Sequence, residues 1–177
     1  AAIWRWLYGL YTGFFNQLLM AVGLGQFIRP WLGEPHLATY SIMLATLWWV
    51  VGFSFIVYFS GLRNIPTDLI EAARIDGASF WKMFRHITFP LLLPNTIVVV
   101  AMSGIEAMRI FDIIYAMTGG GPAYATDVLA TLMFDVSFNR LQMGVGSGVA
   151  VVLLVISAAI ILPYIIYSSR RLEGVQQ

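Results

Sequence analysis

Three ionisable residues lie close together in a stretch that is otherwise apolar. Glu106, Arg109 and Asp112 are spaced three residues apart along the sequence. Ionisable groups at membrane depth are costly, so they usually pair with one another or line a watery cavity. Two interpretations stay open. The first is an internal Glu106–Arg109 ion pair or a contact with another chain, and the second is a place in the lining of a watery cavity, where these groups can hydrogen-bond polar molecules.

Other residues that could do chemistry do not form a recognisable site. The glycine-rich segment 118–126 reads TGGGPAYAT and lacks the Lys-Ser/Thr pair of a phosphate-binding loop. His36 and His86 are far apart and have no metal-ligand spacing. The chain has no cysteine, and no Ser-His-Asp arrangement is apparent. We therefore predict no catalytic residue, no metal site and no enzyme activity in this chain.

The composition indicates which solvent the chain is built for. Hydrophobic residues make up 59% and charged residues only 11%, whereas soluble domains usually carry about a quarter charged residues. So apolar a chain is not disordered. A formal net charge of +1 offers no basis for binding nucleic acid. The composition therefore predicts a membrane protein.

Three long segments contain no charged residue, namely 37–62, 87–105 and 141–169, and each can form all or most of a membrane-spanning helix. A span needs about 20 apolar residues, and only a helix satisfies its backbone hydrogen bonds internally. The short alternating segments of a β-barrel are absent. The sequence predicts an all-α polytopic transmembrane helical bundle in a single domain over 1–177, with spans at 38–61, 91–117 and 143–167.

The first 28 residues are harder to interpret. Aromatic residues between Trp4 and Tyr11 surround Arg5, as in the aromatic belt at the end of a span. We interpret this stretch as the end of a helix that began upstream, followed by an external loop over 9–36. The alternative is a fourth full span over 3–28.

Basic residues predict the orientation, because cytoplasmic loops carry an excess of Lys and Arg. One side of the predicted spans carries six of them: Arg63, Arg74, Lys82, Arg85, Arg170 and Arg171. The other side carries three: Arg5, Arg29 and Arg140. The loop 63–90 and the C-terminus are therefore predicted to be cytoplasmic, and 118–140 is predicted to be an external loop.

The 63–90 loop has the signals of two short helices. Pro66 suits a first helical turn, Gly77 suits a helix stop, and Ser79 suits the cap of the next helix. Pro90 closes the second helix, and Pro94 opens the next span. The second helix carries one apolar stripe at i, i+3, i+4 and i+7, formed by Phe80, Met83, Phe84 and Ile87. Such a hairpin can lie on lipid or be gripped by a soluble partner, and periodicity does not decide between these.

The letters of this loop carry a family resemblance. Residues 71–94 read EAARIDGASFWKMFRHITFPLLLP, which resembles the cytoplasmic coupling motif of binding-protein-dependent ABC permeases. FDIIYAMTGGGPAYAT at 111–126 and MGVGSGVAVVLLV at 143–155 resemble the carbohydrate-type branch of that family. The matching positions of the coupling motif are Glu71, Ala72, Ala73, Asp76, Gly77, Ala78, Phe84, Ile87, Pro90 and Pro94.

The resemblance implies a type I ABC importer permease fold, here a partial one. Such permeases have six or more spans, so we expect the chain to be the C-terminal portion. It implies a second permease subunit, a cytoplasmic ATPase dimer that binds ATP and Mg²⁺, and an extracytoplasmic solute-binding protein. The expected location is the cytoplasmic membrane of a bacterium or archaeon.

The resemblance also implies roles for particular residues. Glu71, Ala72, Ala73, Asp76, Gly77 and Ala78 match the ATPase-coupling positions, and the family's carboxylate at Glu71 meets a basic residue of the ATPase. The helix that carries Glu106, Arg109 and Asp112 borders the translocation pathway, and 103–109 matches the region that contacts sugar in maltose-type permeases.

The predicted function is ATP-driven import of a sugar or related polar solute, coupled through 66–87. The alternative is a secondary transporter or channel in which Glu106, Arg109 and Asp112 form an ion relay. The hairpin favours the importer, because a secondary transporter has no use for an ATPase-docking loop.

Overall fold

A computed structural model of the protein describes residues 1–108 and 110–173. These residues form helices joined by turns, and no β-strand occurs among them, which confirms the predicted all-α class. The chain divides into two compact units. Unit 1 comprises Ala1–Trp49 and Glu106–Ala158, and unit 2 comprises Val50–Ile105 and Ala159–Gln177.

Nine helices can be numbered along the described ranges. The first four are α1 (Ala2–Leu7), α2 (Phe14–Ala21), α3 (Pro35–Arg63) and α4 (Thr67–Ile75). The next two are α5 (Phe80–Leu91), which contains a π-helical turn at Phe84–Thr88, and α6 (Leu93–Met108). The last three are α7 (Asp112–Met117), α8 (Leu129–Phe134), which continues as a π-helical turn over Asp135–Asn139, and α9 (Met143–Glu173).

Two of the described helices are long and apolar enough to cross a membrane, namely α3 and the Met143–Ser168 part of α9. A third is added if α5 and α6, which meet at a bend of 64°, count as one broken span. The bend falls where Pro90 and Pro94 lie four residues apart, and neither has an amide hydrogen to continue the helical ladder. Pro94 lies in the first turn of α6, where it was expected.

The predicted span 91–117 differs from the observed helices. Helix α6 ends at Met108, and α7 begins only at Asp112. Phe111, which precedes α7, has φ −129° and ψ −55°, outside the helical region. Its ring stacks on Tyr115 and contacts Phe134, with centroids 5.1 and 5.2 Å apart. Packing of the ring therefore accompanies the break, which apolar composition alone does not reveal.

The segment 118–140 also differs from a simple loop, since it contains α8 and its π-helical extension. At the other end of the chain, α1 and α2 are separate short helices, so the alternative of one span over 3–28 is wrong. The chain turns so tightly between them that a Cβ at Gly13 would collide with the backbone of Gly9. This close approach requires glycine.

A buried asparagine holds the segment between α1 and α3 in unit 1. The Asn16 side chain donates to the carbonyls of Leu10 and Arg29, each at 3.1 Å, and accepts from Trp31 Nε1 at 2.8 Å. Asn16 is only 2% exposed, so these bonds satisfy its amide where water does not reach. The apolar core beside it contains Tyr8, Ile42, Ala45, Ile114 and Met117.

In unit 2, side-chain hydrogen bonds join the start of α6 to the other long helices. Asn95 Nδ2 donates to the carbonyl of Val57 in α3 at 3.1 Å, and Tyr58 donates from its hydroxyl to Thr96 Oγ1 at 3.3 Å. From α9, the Tyr164 hydroxyl donates to a backbone carbonyl of α6 at 3.0 Å. Because polar groups between apolar helices have few other partners, these bonds fix where the helices meet.

Candidate functional site

The turn between α4 and α5 is closed by a pair of backbone hydrogen bonds. Gly77 N donates to the carbonyl of Arg74 at 3.0 Å, and Ala78 N donates to that of Ala73 at 2.9 Å. This is the Schellman arrangement that ends a helix with a left-handed residue. Gly77 has φ +71°, which confirms the predicted helix stop. The turn therefore leaves the end of α4 in one defined conformation.

The second helix of the hairpin is capped by the residue that precedes it. Ser79 is the N-cap of α5, and its hydroxyl accepts from the backbone N–H of Lys82 at 3.4 Å, as predicted. Pro66 lies one residue outside α4, which begins at Thr67, so the prediction that it lies inside the first turn is wrong by one residue. With ψ 128° its backbone is extended.

The six predicted coupling residues all lie on α4 or in the turn that follows it. Ala73 is buried, whereas Glu71, Ala72 and Asp76 are exposed. Glu71 makes no hydrogen bond or ion pair with any described residue. The exposed face of α4 thus presents a free carboxylate beside a small alanine, on a helix whose C-terminal end is held in place.

A groove of about 660 Å³ lies behind the hairpin, within unit 2. The four residues of the predicted apolar stripe on α5 all line it. Arg74 is the one charged residue among the described residues that line it. The groove is further bounded by Leu62, Ile70 and Leu92 from neighbouring helices. Sequence periodicity found the stripe but not the concave surface that it helps to form.

The predicted solute-facing residues lie around the break between α6 and α7. Glu106 is exposed near the end of α6, and Asp112 is exposed as the first residue of α7. Within the described ranges, neither carboxylate has a hydrogen-bond or ion-pair partner. Arg109 lies outside the described residues, and so does the predicted Glu106–Arg109 ion pair. The two carboxylates lie on separate helices instead of on one continuous span.

An aromatic cluster adjoins this break, and sequence reasoning missed it. Tyr115 and Phe134 have ring centroids 4.8 Å apart, and Phe134 and Phe138 are 5.1 Å apart. Together with Phe111 they form two pairs at i, i+4 spacing, one at the start of α7 and one between the end of α8 and its π-helical turn, and that spacing was the available signal. Tyr115 is 44% exposed and Phe138 is 57% exposed. The cluster therefore leaves ring surface accessible near Asp112.

A second cavity, of about 490 Å³, lies in unit 1 beside α8 and α9. Asp127 is part of its lining, and the Asp127 carboxylate accepts from the backbone N–H of Val128 and from the Thr131 hydroxyl. Ser157 also lines it, and the Ser157 Oγ is buried without a hydrogen-bond partner in the described part of the protein. No spacing in the sequence indicated that these residues meet.

The turn after α8 carries an exposed charge cluster. Arg140 Nη2 lies 2.7 Å from Asp135 Oδ2, and Asn139 Nδ2 donates to Asp135 Oδ1 at 2.9 Å. The Asn139 hydrogen bond, together with that of Arg140, lowers the pKa of the Asp135 carboxyl. Among the described residues, no three His, Cys, Asp or Glu side chains gather to hold a metal ion.

Nearly the whole chain is similar in sequence to proteins of one known family. Residues 4–170 match the family described as the inner membrane component of binding-protein-dependent transport systems. A probable ABC transporter permease protein of Pyrococcus horikoshii is 33% identical over 98% of this chain and 59% of its own length. The trehalose/maltose transport system permease protein MalF of Thermococcus litoralis is 38% identical over 93% of this chain and 55% of its own length. The chain thus spans little more than half of these relatives.

A solved structure confirms the fold. It is a bacterial ABC transporter involved in the import of the acidic polysaccharide alginate, and it matches with a TM-score of 0.82 at 24% identity. The match covers 95% of this chain and 58% of that one. The fold is therefore that of an ABC importer permease, as the coupling motif implied. By its family match and its relatives, this chain belongs to the inner membrane components of binding-protein-dependent transport systems.

Proposed function

We propose that this chain belongs to a membrane-spanning subunit of an ATP-driven importer. It helps to form the translocation pathway for a sugar or related polar solute, and it couples to a cytoplasmic ATPase through the 66–87 loop. The observation that carries the proposal is the hairpin of α4 and α5. Its turn at Gly77 and its cap at Ser79 are defined, and it exposes the carboxylate of Glu71, which has no partner among the described residues.

The hairpin has the physical properties that force transmission requires. A short helix moves as a rigid body only if its ends are fixed, and here the Gly77 turn and the Ser79 cap fix the junction between α4 and α5. Ala72 is exposed and small, so another protein surface can approach it closely. Glu71 then supplies a charged contact for a basic residue of the ATPase. Asp76, Gly77 and Ala78 shape the turn, and Ala73 anchors it.

The remaining partners follow from the same assignment. ATP and Mg²⁺ bind to a separate ATPase dimer, and this chain acts mechanically. A second permease subunit completes the pathway, and an extracytoplasmic binding protein delivers the solute. The excess of basic residues at 63–90 and after α9 supports an orientation with the hairpin and the C-terminus in the cytoplasm of a bacterium or archaeon.

The solute class is supported by a relative and by the residues around the helix break. The MalF relative is named for trehalose and maltose transport. Glu106 and Asp112 are exposed carboxylates that can accept hydrogen bonds from sugar hydroxyls, and Arg109 is assigned to the same pathway on its sequence position. The accessible rings of Tyr115 and Phe138 offer apolar faces for the C–H groups of a sugar.

The proposal is tested by co-purification of the full-length permease with the ATPase subunit encoded beside it. Wild type is compared with Glu71→Lys, with a variant whose residues 66–86 are replaced by a flexible linker, and with Asp68→Lys. Asp68 is an exposed carboxylate one turn earlier on α4, so Asp68→Lys is the matched control for charge reversal.

We expect wild type and Asp68→Lys to retain the ATPase, and Glu71→Lys and the linker variant to lose it. Retention of the ATPase and normal solute-stimulated ATP hydrolysis in the linker variant would show that the hairpin is not the coupling element. Equal loss in Glu71→Lys and Asp68→Lys would remove the specific role of Glu71.

A further inference from the structure

The groove behind the hairpin has an apolar wall whose own polar groups are already paired. The wall includes Tyr58 and Leu62 of α3, Leu92 just before α6, and Thr96 in the first turn of α6. The Tyr58 hydroxyl donates to Thr96 Oγ1 at 3.3 Å, and the Thr96 hydroxyl donates to the carbonyl of Leu92 at 3.0 Å. Because these groups satisfy one another, this side of the groove offers a ligand only hydrocarbon surface.

Two other lining residues carry hydrogen-bond donors without a partner. The Arg74 guanidinium has no ion pair or hydrogen bond to any residue in the described ranges, and the same holds for the Thr88 hydroxyl. A cation beside an apolar groove suits a ligand with an anionic oxygen at one end and a hydrocarbon chain at the other. The volume of about 660 Å³ lies within the range of about 300–1,000 Å³ for pockets that bury small ligands.

The position of the groove indicates where such a ligand would come from. Helix α3 is one of the helices long and apolar enough to cross a membrane, and Arg63 ends it with its guanidinium 5.0 Å from the Phe59 ring centroid. Phe80 and Trp81 on the hairpin are 71% and 75% exposed, as aromatic residues at a membrane surface often are. With α3 across the membrane, the wall made by the end of α3 and the start of α6 comes to the edge of the hydrocarbon layer, within reach of a lipid tail.

We propose that the groove binds one acyl chain of an anionic phospholipid, with the phosphate held by Arg74 and assisted by Thr88. The inference goes beyond the proposed function, because it depends on the membrane location of the hairpin and not on ATPase docking. Polar contact through Arg74 selects anionic lipid, while burial of methylene groups along Leu62, Phe84 and Leu92 holds the chain.

The test uses the full permease complex in nanodiscs of phosphatidylcholine, with or without phosphatidylglycerol. A photoreactive phenylalanine analogue at residue 84 reports what occupies the groove, and native mass spectrometry counts the lipids retained. The variants are Arg74→Gln, Met83→Trp to fill the groove, and Arg63→Gln as the control. Arg63 is a cation at the same membrane surface that does not line the groove.

We expect residue 84 to crosslink phosphatidylglycerol. Arg74→Gln should reduce that adduct about fivefold, the effect of about one cation at an anionic surface, while Arg63→Gln leaves it unchanged. Met83→Trp should remove adducts of both lipids. Four results would overturn the proposal. They are equal labelling by both lipids, equal loss in both arginine variants, displacement of the lipid by inorganic phosphate, and adducts to the ATPase or to another permease segment in place of lipid.

Discussion

The side-chain amide of Asn95 lies against the backbone of Gly61, where α6 crosses α3. A Cβ built at Gly61 would be 2.6 Å from both Cγ and Oδ1 of Asn95, which is closer than Cβ atoms approach other atoms. Asn95 uses this proximity to donate to the carbonyl of Val57, one turn earlier on α3. The pair therefore allows a close helix crossing and a hydrogen bond between the two helices at the same point.

Replacing Gly61 with alanine should destabilise the protein, because the new methyl group must displace the Asn95 amide. We expect a loss of about 1–3 kcal/mol, as for other overpacked sites, measured as the free energy of unfolding in detergent. Gly52→Ala is the matched control, since Gly52 lies on the same helix and nothing lies within 4 Å of its Cβ position. Equal stability of the two variants would show that the crossing is looser than described.

Gly77→Ala should weaken coupling without preventing membrane insertion. A left-handed φ of +71° costs an alanine about 1–2 kcal/mol, and asparagine tolerates it better. We therefore expect ATPase retention to fall in the order wild type, Gly77→Asn, Gly77→Ala. Full retention by the alanine variant would indicate that the turn need not keep this conformation when the ATPase binds.

Ser79→Ala should loosen the first turn of α5, because the Lys82 amide loses its acceptor. A lost N-cap costs about 0.5–2 kcal/mol, and Ser79→Asp should restore most of it. Hydrogen exchange at the Lys82 amide is the direct measurement. It should be several-fold faster in the alanine variant and close to wild type in the aspartate variant. Unchanged exchange in Ser79→Ala would mean that the cap contributes little.

The Asp135 cluster gives a prediction about pH. The hydrogen bonds from Asn139 and Arg140 lower the pKa of Asp135, so the folded state binds its proton less readily than the unfolded state. The stabilisation is therefore present at neutral pH and is lost as pH falls through the lowered pKa. Arg140→Gln should move the pKa of Asp135 back towards its ordinary value, as measured by carboxyl NMR titration, and Asn139→Ala should act in the same direction. An unshifted titration in both variants would contradict the assignment.

Glu106→Gln and Asp112→Asn should impair transport if these carboxylates contact solute. We expect the KM of solute uptake to rise several-fold in each variant, because a charged acceptor bonds hydroxyls more strongly than a neutral one. Membrane insertion and basal ATP hydrolysis should not change. Glu34→Gln is the control, since Glu34 is a carboxylate elsewhere in unit 1 that lies 4.0 Å from Arg29. Unaltered KM in both variants would leave only a structural role for Glu106 and Asp112.

The sequence predicts those parts of the fold that depend on composition and local chemistry. Charge-free runs located the long helices α3 and α9. The helix-stop and helix-cap signals at Gly77 and Ser79 located the hairpin, because such signals depend on only a few neighbouring residues. The break before Asp112 was missed, since the stretch stays apolar while its backbone follows the packing of the Phe111 ring.

Contacts between distant residues were also beyond the sequence. No sequence pattern indicates that Asn95 bonds to Val57 or that Asp127 lines the cavity beside α9. These contacts depend on how whole helices cross. The two π-helical turns were likewise not predicted. Of the candidate site, the exposed face of α4 was recognised by its motif, whereas the groove behind it became visible only when α3, α5 and α6 were placed around it.

The bend of 64° between α5 and α6 has a mechanical consequence. Pro90 and Pro94 lack amide hydrogens, so a change of angle at this junction breaks fewer backbone hydrogen bonds than the same change within a regular helix. Compliance is concentrated in one short joint, while the hairpin on one side and the hydrogen-bonded start of α6 on the other are stiff. The angle between α5 and α6 can therefore change at this joint while each helix keeps its own backbone hydrogen bonds.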